Sequence, residues 1–190
     1  MNLVFATHNL NKLKEIQALM PENVILQSLT DIGCTEEIIE DAPTIEGNAI
    51  LKAKYVKQHY GLDCFADDTG LEVHALNGEP GVYSARYAGE QKNAEDNMQK
   101  LLYNLNGKTD RSAQFKTVIA LIIGNRAHSF EGICKGEIIE SRQGEKGFGY
   151  DPIFQPENHT ETFAQMSLIA KSKISHRGLA VKKLLDFLEK

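Results

Sequence analysis

The sequence predicts an α/β fold built on a mixed β-sheet. Three observations predict it: short apolar runs alternate with helix-periodic segments as far as Val73, two β-rich runs follow that are split by Gly124-Asn125-Arg126, and a leucine-striped segment closes the chain. Strand–helix alternation gives parallel neighbours and a hairpin gives antiparallel ones, so a sheet that contains both is mixed.

Leu3 to Ala6 reads as a buried strand. Leu10, Leu13, Ile16 and Met20 then carry mostly helical spacing up to Pro21, which stops a helix. Val24 to Leu29 is a second strand, followed by Thr30-Asp31-Ile32-Gly33 and the acidic run Glu36-Glu37-Ile38-Ile39-Glu40-Asp41, a solvated edge by default. Pro43-Thr44 opens the next helix, with Ala49, Ala53, Val56 and Tyr60 on one face and Gly61 as its stop. That helix leads into Leu62 to Ala66, an apolar strand at whose exit stand Asp67 and Asp68 and a Thr69-Gly70 turn, before a second short apolar run, Leu71 to His74.

Asn77-Gly78-Glu79-Pro80-Gly81 is loop. Gln91 to Leu105 is helical, with Met98, Leu101, Leu102 and Leu105 as its stripe and Asn106-Gly107 as its end. Phe115 to Ile123 and Ala127 to Cys134 form the hairpin, Gly136 to Ser141 a third strand, and Gly144 to Pro156 a loop. Leu179, Leu184, Leu185 and Leu188 face the core from the last helix.

The 190 residues suit a single domain over 1–190, and 42% hydrophobic with 25% charged residues is the balance of a globular protein. A net charge of −5 without a long Lys/Arg run argues against polymeric nucleic acid or an anionic membrane as partner, while leaving room for a single nucleotide. Cys34, Cys64 and Cys134 are odd in number and widely spaced, so neither a disulfide framework nor a zinc site is expected. The apolar start Met1 to Ala6 is too short for a signal-peptide core and no run has the length of a membrane span, so a cytoplasmic location is expected.

Two adjacent carboxylates beside a buried strand are costly unless a cation or a proton transfer uses them, the other reading of Asp67-Asp68 being a polar turn. Thr7 to Lys12 joins a strand to a helix start and places N–H groups, a hydroxyl, an amide and an ammonium at the positive end of a helix dipole. That suits phosphate, or simply caps a helix. The loop lacks the glycines of a P-loop. Magnesium shared with a triphosphate needs one or two protein carboxylates, which Glu40 with Asp67 or Asp68 can supply. Gly147-Phe148-Gly149-Tyr150-Asp151-Pro152 offers a ring to stack on a base and an acid to read its edge, or a tight turn with core aromatics. Lys171, Lys173, His176 and Arg177 cluster where Ser175 caps the last helix, giving donors for a base carbonyl or a phosphate.

Taken together, Ala6 to Lys12, Glu46-Gly47-Asn48-Ala49, Ala66 to Leu71, Pro80 to Tyr87, Gly147 to Pro152 and Ile174 to Gly178 resemble the inosine/xanthosine triphosphate pyrophosphatase family, in the family's order and over nearly the whole chain. The resemblance implies an elongated mixed β-sheet with flanking helices, two lobes around a nucleotide cleft, a homodimer, and magnesium-dependent hydrolysis of ITP, dITP or XTP to monophosphate and pyrophosphate. It implies that Thr7, His8, Asn9, Leu10, Asn11 and Lys12 hold phosphates, that Glu40 and Asp68 hold magnesium, and that Asp68 is the proton acceptor for water. Thr69, Phe148, Gly149, Tyr150, Asp151, Lys171, His176 and Arg177 would contact the substrate, with Phe148 stacking on the base. His8 stands where many relatives have Gly, and Thr69 where many have Ser. Two rival readings are a nucleotide sensor without turnover and a dimeric aspartic protease built on Asp68-Thr69-Gly70.

Overall fold

The computed structural model describes residues 1–189. Seven strands form one sheet in the order β2-β1-β3-β5-β6-β7, with β4 paired to β3; these are β1 (Asn2–Phe5), β2 (Ile25–Ser28), β3 (Cys64–Val73), β4 (Pro80–Gly81), β5 (Ser112–Ile123), β6 (Arg126–Ile138) and β7 (Phe154–Pro156). The helices are α1 (Leu10–Gln17), α2 (Ile45–Tyr60), α3 (Ala94–Asn104), α4 (Leu168–Ile174) and α5 (His176–Leu188). β1 pairs in parallel with β2 and β3, whereas β3–β4 and β6–β7 are antiparallel, so the sheet is mixed as expected. Only two residues, Gly124 and Asn125, separate β5 from β6, a link that antiparallel neighbours alone permit.

The chain divides into two compact units. The first holds residues 1–68, 117–132 and 177 onward; the second holds 69–116 and 133–176. β3, β5 and β6 contribute residues to both.

In the first unit the period-two alternation of strands decides which helix covers which face. Leu3, Phe5, Phe65, Ile119 and Leu121 join Ile16 of α1 and Ala180, Val181 and Leu184 of α5 in one cluster, where the Phe5 and Phe65 rings stack at 4.7 Å. The intervening residues, Val4, Ala6, Cys64, Ala66, Ala120 and Ile122, join Ala49, Ala53 and Val56 of α2 in another. One face is built of large side chains and the other largely of small ones. The second unit has its own core, in which Leu101, Leu105, Phe115, Phe154 and Phe163 are buried with Tyr150.

Helix ends follow local chemistry. Thr44 caps α2 by accepting from the Gly47 N–H at 3.0 Å, and Gly61 ends it in the left-handed conformation at φ +69°. α3 begins at Ala94 rather than Gln91, because Lys92 has φ +53° and Asn93 is the cap, accepting from the Asp96 N–H. α1 ends at Gln17, before the expected Met20, with the Ala18 N–H reaching back to the Lys14 carbonyl and the Leu19 N–H closing a tighter turn on the Ile16 carbonyl at 2.9 Å.

Four further sequence expectations are corrected, the first within the expected loop 77–81, where Pro80–Gly81 pair with Glu72 and Leu71 of β3 as β4. Thr69-Gly70 is not a turn: β3 runs unbroken through it for ten residues. Gly136 to Ser141 is not a separate strand, since Gly136 to Ile138 finish β6. Within the expected loop 144–156, Phe154–Pro156 form β7 by pairing with Gly136, Glu137 and Ile138, a partner too distant in sequence to leave a local signal.

Candidate active site

Because β3 is continuous, its alternation reaches the two aspartates and sends them to opposite faces of the sheet. Asp67 follows Phe65 towards α1 and α5, and Asp68 follows Ala66 towards α2. The two adjacent carboxylates therefore have different partners.

Asp67 is fully enclosed between two cations. Lys12 Nζ donates to Asp67 Oδ1 at 3.0 Å and to its backbone carbonyl at 3.4 Å, while Arg177 Nε donates to Oδ2 at 3.1 Å. The guanidinium also donates through Nη1 to Glu15 Oε2 at 2.5 Å, closing a chain Glu15–Arg177–Asp67–Lys12. Burial alone would raise the pKa of Asp67, but Lys12, Arg177 and Lys52 together hold it well below the usual carboxylate range. Burial lowers Lys12 despite its carboxylate partner.

Asp68 meets a different set. Asn48 Nδ2 donates to Oδ2 at 3.4 Å, and Lys52 Nζ lies 3.6 Å from Oδ1 and 3.2 Å from Glu40 Oε2. The amide oxygen of Asn48 accepts from the Ala42 N–H at 2.9 Å, so one side chain ties the Glu40 segment to β3. Burial pushes the Asp68 carboxyl above its ordinary value, with Glu40 and Asp67 adding to the rise and Lys52 and Lys12 opposing it. A carboxylate of raised basicity suits a proton acceptor. Burial works against a charged Lys52, yet its carboxylate neighbours, led by Asp68, outweigh burial and raise it.

The predicted phosphate loop lies at the start of α1, in the same unit. Asn9 caps the helix, its Oδ1 accepting from the N–H groups of Asn11 at 3.0 Å and Lys12 at 3.2 Å, and Thr7 Oγ1 accepts from the Asn9 N–H at 3.1 Å. Part of the expected N–H supply is thus used within the loop. His8 Nε2 contacts the Glu36 carbonyl at 2.9 Å, and Leu10 is 77% exposed.

The remaining predicted residues, Arg177 apart, belong to the second unit. Thr69 is half-buried in β3. Asp151 Oδ2 accepts from the Phe148 N–H at 2.9 Å and from Lys171 Nζ at 2.6 Å, which folds residues 147–151 around one buried carboxylate. Gly147 sits at φ +73°, where an added Cβ would come within 2.0 Å of that same oxygen. Lys171 Nζ lies 5.3 Å from the ring centres of both Phe148 and Phe163, a cation–π arrangement. Phe148 and Gly149 are half-buried.

Two predicted contact residues are buried. Tyr150 is buried with its hydroxyl donating to the Ser84 carbonyl at 2.8 Å, and the His176 ring stacks on Phe115 at 4.5 Å with Phe163 beside it. Arg177, 2% exposed, spends its guanidinium on Asp67 and Glu15. The sequence reading missed Glu15, Asn48 and Lys52. Their signal was present for the last two: a polar residue and a lysine stand four apart on the apolar stripe of α2, among Ile45, Ala49, Ala53 and Val56. A separate cavity of about 460 Å³ in the second unit, bordered by Glu72, His74, Gln114, Lys135 and Glu157, contains none of the predicted residues.

Comparison with known proteins adds an independent line. The model of the Ham1 family matches residues 3–187. A dITP/XTP pyrophosphatase of Flavobacterium psychrophilum is 63% identical over the whole of both chains, and one of Flavobacterium johnsoniae is 63% identical over 99% of this chain and 98% of its own. Among solved structures, the Ham1 protein of Staphylococcus aureus superposes with a TM-score of 0.90 at 42% identity, covering 100% of this chain and 98% of its own.

Proposed function

Since the chain belongs to the Ham1 family, we propose that it hydrolyses non-standard purine nucleoside triphosphates, dITP, ITP and XTP, to the monophosphate and pyrophosphate. The observation that carries this reading is the division of labour between the two aspartates: Asp67 neutralises buried cations, while Asp68, raised in pKa and placed beside Glu40, is kept for chemistry. The dITP/XTP pyrophosphatase names of two relatives at 63% identity support the substrate class.

Magnesium is the proposed cofactor, held by Glu40 and Asp68. These residues fit it: both donors are carboxylate oxygens, a single ammonium links them, and Mg²⁺ asks for one or two carboxylates when phosphate oxygens and water complete its octahedron. Among the described residues no group of three or more His, Cys, Asp or Glu forms a fuller cage. When bound, the ion would supply charge stabilisation for a phosphoryl centre.

The chain's own groups perform the rest. Asp68 takes the proton of a water that attacks the α-phosphorus in line, with pyrophosphate as the leaving group. Lys12, oriented by Asp67, draws the phosphate oxygens, and the start of α1 adds its dipole. Phe148 stacks on the base, and Lys171 presents a donor suited to a 6-oxo group, which ITP and XTP carry where ATP carries an amino donor. Asp151 holds these two in place. An aspartic-protease dyad is disfavoured by the same geometry, because Asp68 lies within a continuous strand and is paired with a lysine. A cytoplasmic homodimer belongs to the same proposal; among the described residues no helix is long and apolar enough to cross a membrane.

The assay is incubation with magnesium and a panel of ITP, XTP, dITP, ATP and GTP, reading pyrophosphate against orthophosphate. Release of pyrophosphate from the 6-oxo hypoxanthine and xanthine substrates is expected. Equal turnover of ATP, or orthophosphate as first product, overturns the reading, and binding without release would make the protein a sensor.

A further inference from the structure

The pair of carboxylates proposed to hold the metal is already in contact with a cation that belongs to the chain. Lys52 Nζ stands 3.2 Å from Glu40 and 3.6 Å from Asp68, with its side chain only 8% exposed. The lysine rises from the buried stripe of α2 one turn beyond Asn48, which joins the Ala42 backbone to Asp68.

The placement of the ammonium groups is equally informative. Lys52 is shared between Glu40 and Asp68, and Lys12 stands on the neighbouring Asp67, so ammonium groups already occupy the positions from which the carboxylates would attract a free cation. A bare divalent ion gives up its water reluctantly and would find here two carboxylates with an ammonium between them. A metal already complexed to a polyphosphate is different. It brings its own oxygen ligands and arrives with net negative charge, which Lys52 and Lys12 attract.

We infer that Lys52 acts as an internal counter-ion, closing the Glu40–Asp68 pair to free divalent cations while leaving it open to a metal carried in by a triphosphate. Lys52 is then a positioning residue for metal loading, and the protein binds the metal–nucleotide complex as one unit rather than metal first. The inference rests on the pyrophosphatase reading and on its assignment of Glu40 and Asp68 to the metal.

The test is titration of nucleotide-free protein with Mn²⁺, a spectroscopic substitute for Mg²⁺, followed by electron paramagnetic resonance, with circular dichroism to check the fold. Wild type should bind weakly. Lys52→Met should bind at least roughly tenfold more tightly, since the ammonium beside both carboxylates and its repulsion of a dication are removed. Lys52→Arg keeps the charge and should match wild type, and Lys52→Gln replaces the Met variant if that one does not fold. Adding Asp68→Asn to the Met variant should abolish the gain. Unchanged or weaker Mn²⁺ affinity in Lys52→Met overturns the counter-ion role while Asp68 dependence would keep the metal assignment standing. Tight binding that ignores Asp68→Asn overturns the metal assignment, and the counter-ion role with it.

Discussion

Replacing each of two neighbouring aspartates by its neutral isostere should move stability in different directions. Asp67 lies between Lys12 and Arg177 at 3.0 and 3.1 Å with no exposed side-chain surface. In Asp67→Asn both cations stay buried while the charge that balanced them is gone, although the amide keeps one acceptor. Breaking a buried pair from one side costs about 3–5 kcal/mol, and the retained acceptor places this case at about 3 kcal/mol. At about 2–4 °C per kcal/mol for a chain of this size, Tm should fall by roughly 6–12 °C. Asp68 is the opposite case. Its pKa is raised, so at neutral pH the fold holds an ionised carboxylate at a cost that asparagine would remove. Asp68→Asn should therefore unfold at or above the wild-type temperature while losing turnover. Thermal and urea melts of the metal-free proteins at neutral pH read both effects, and Lys12→Met placed in the Asp67→Asn background should recover part of the loss. A loss below about 1 kcal/mol for Asp67→Asn, the size of an exposed ion pair, would refute the role of Asp67 as a buried counter-charge. Equal losses in the two variants would refute the division between them.

Three further outcomes follow from the same geometry. Since the folded pKa of Asp67 lies below its unfolded value of about 3.9, its contribution is present above that pH and fades as the pH falls below it; acid melts of Asp67→Asn should show a shallower loss than wild type under about pH 4. Gly147→Ala puts a Cβ 2.0 Å from Asp151 Oδ2 at φ +73°, so the 147–151 turn must open, and KM for dITP should rise several-fold, roughly 1–3 kcal/mol of strain, with a smaller change in kcat. Asn48→Ala leaves the Ala42 N–H without its side-chain acceptor, and a stability loss of about 1–3 kcal/mol in urea melts should accompany weaker activation by magnesium.

What the sequence disclosed and withheld can be followed along β3. Apolar runs on each side of Asp67-Asp68 are visible, and the residue pair was a site candidate from its charge alone. Reading Thr69-Gly70 as a turn broke the strand, and with it the alternation that separates the two aspartates. Cys64 to Val73 as one strand predicts opposite faces without any coordinates. Helix α2 was legible from Thr44 to Gly61, and its stripe already contained Asn48 and Lys52, but a helix wheel shows only that polar groups are buried, not what they meet. Glu15 was not legible, because its partner Arg177 lies 162 residues away. For residues 147–151 and 171–176 the motif is visible in the sequence and its internal contacts are not: Asp151, Tyr150 and His176 are held within the second unit by hydrogen bonds and ring contacts that no local pattern discloses.

The small-residue face of the sheet has a consequence for how this protein can vary. Ala6, Cys64, Ala66 and Ala120 form the floor on which α2 rests, and their size sets how deep the helix sits. Asn48 and Lys52 hang from that helix, and their reach to Asp68 is short. The alanines therefore act as a spacer, a shim whose thickness is copied into the distance between an amide, an ammonium and a carboxylate. A larger side chain at Ala66 would lift α2 and loosen both contacts at once. Core volume and the geometry of the proposed site are here one variable, so drift that a core elsewhere would absorb by repacking would be felt at Asp68.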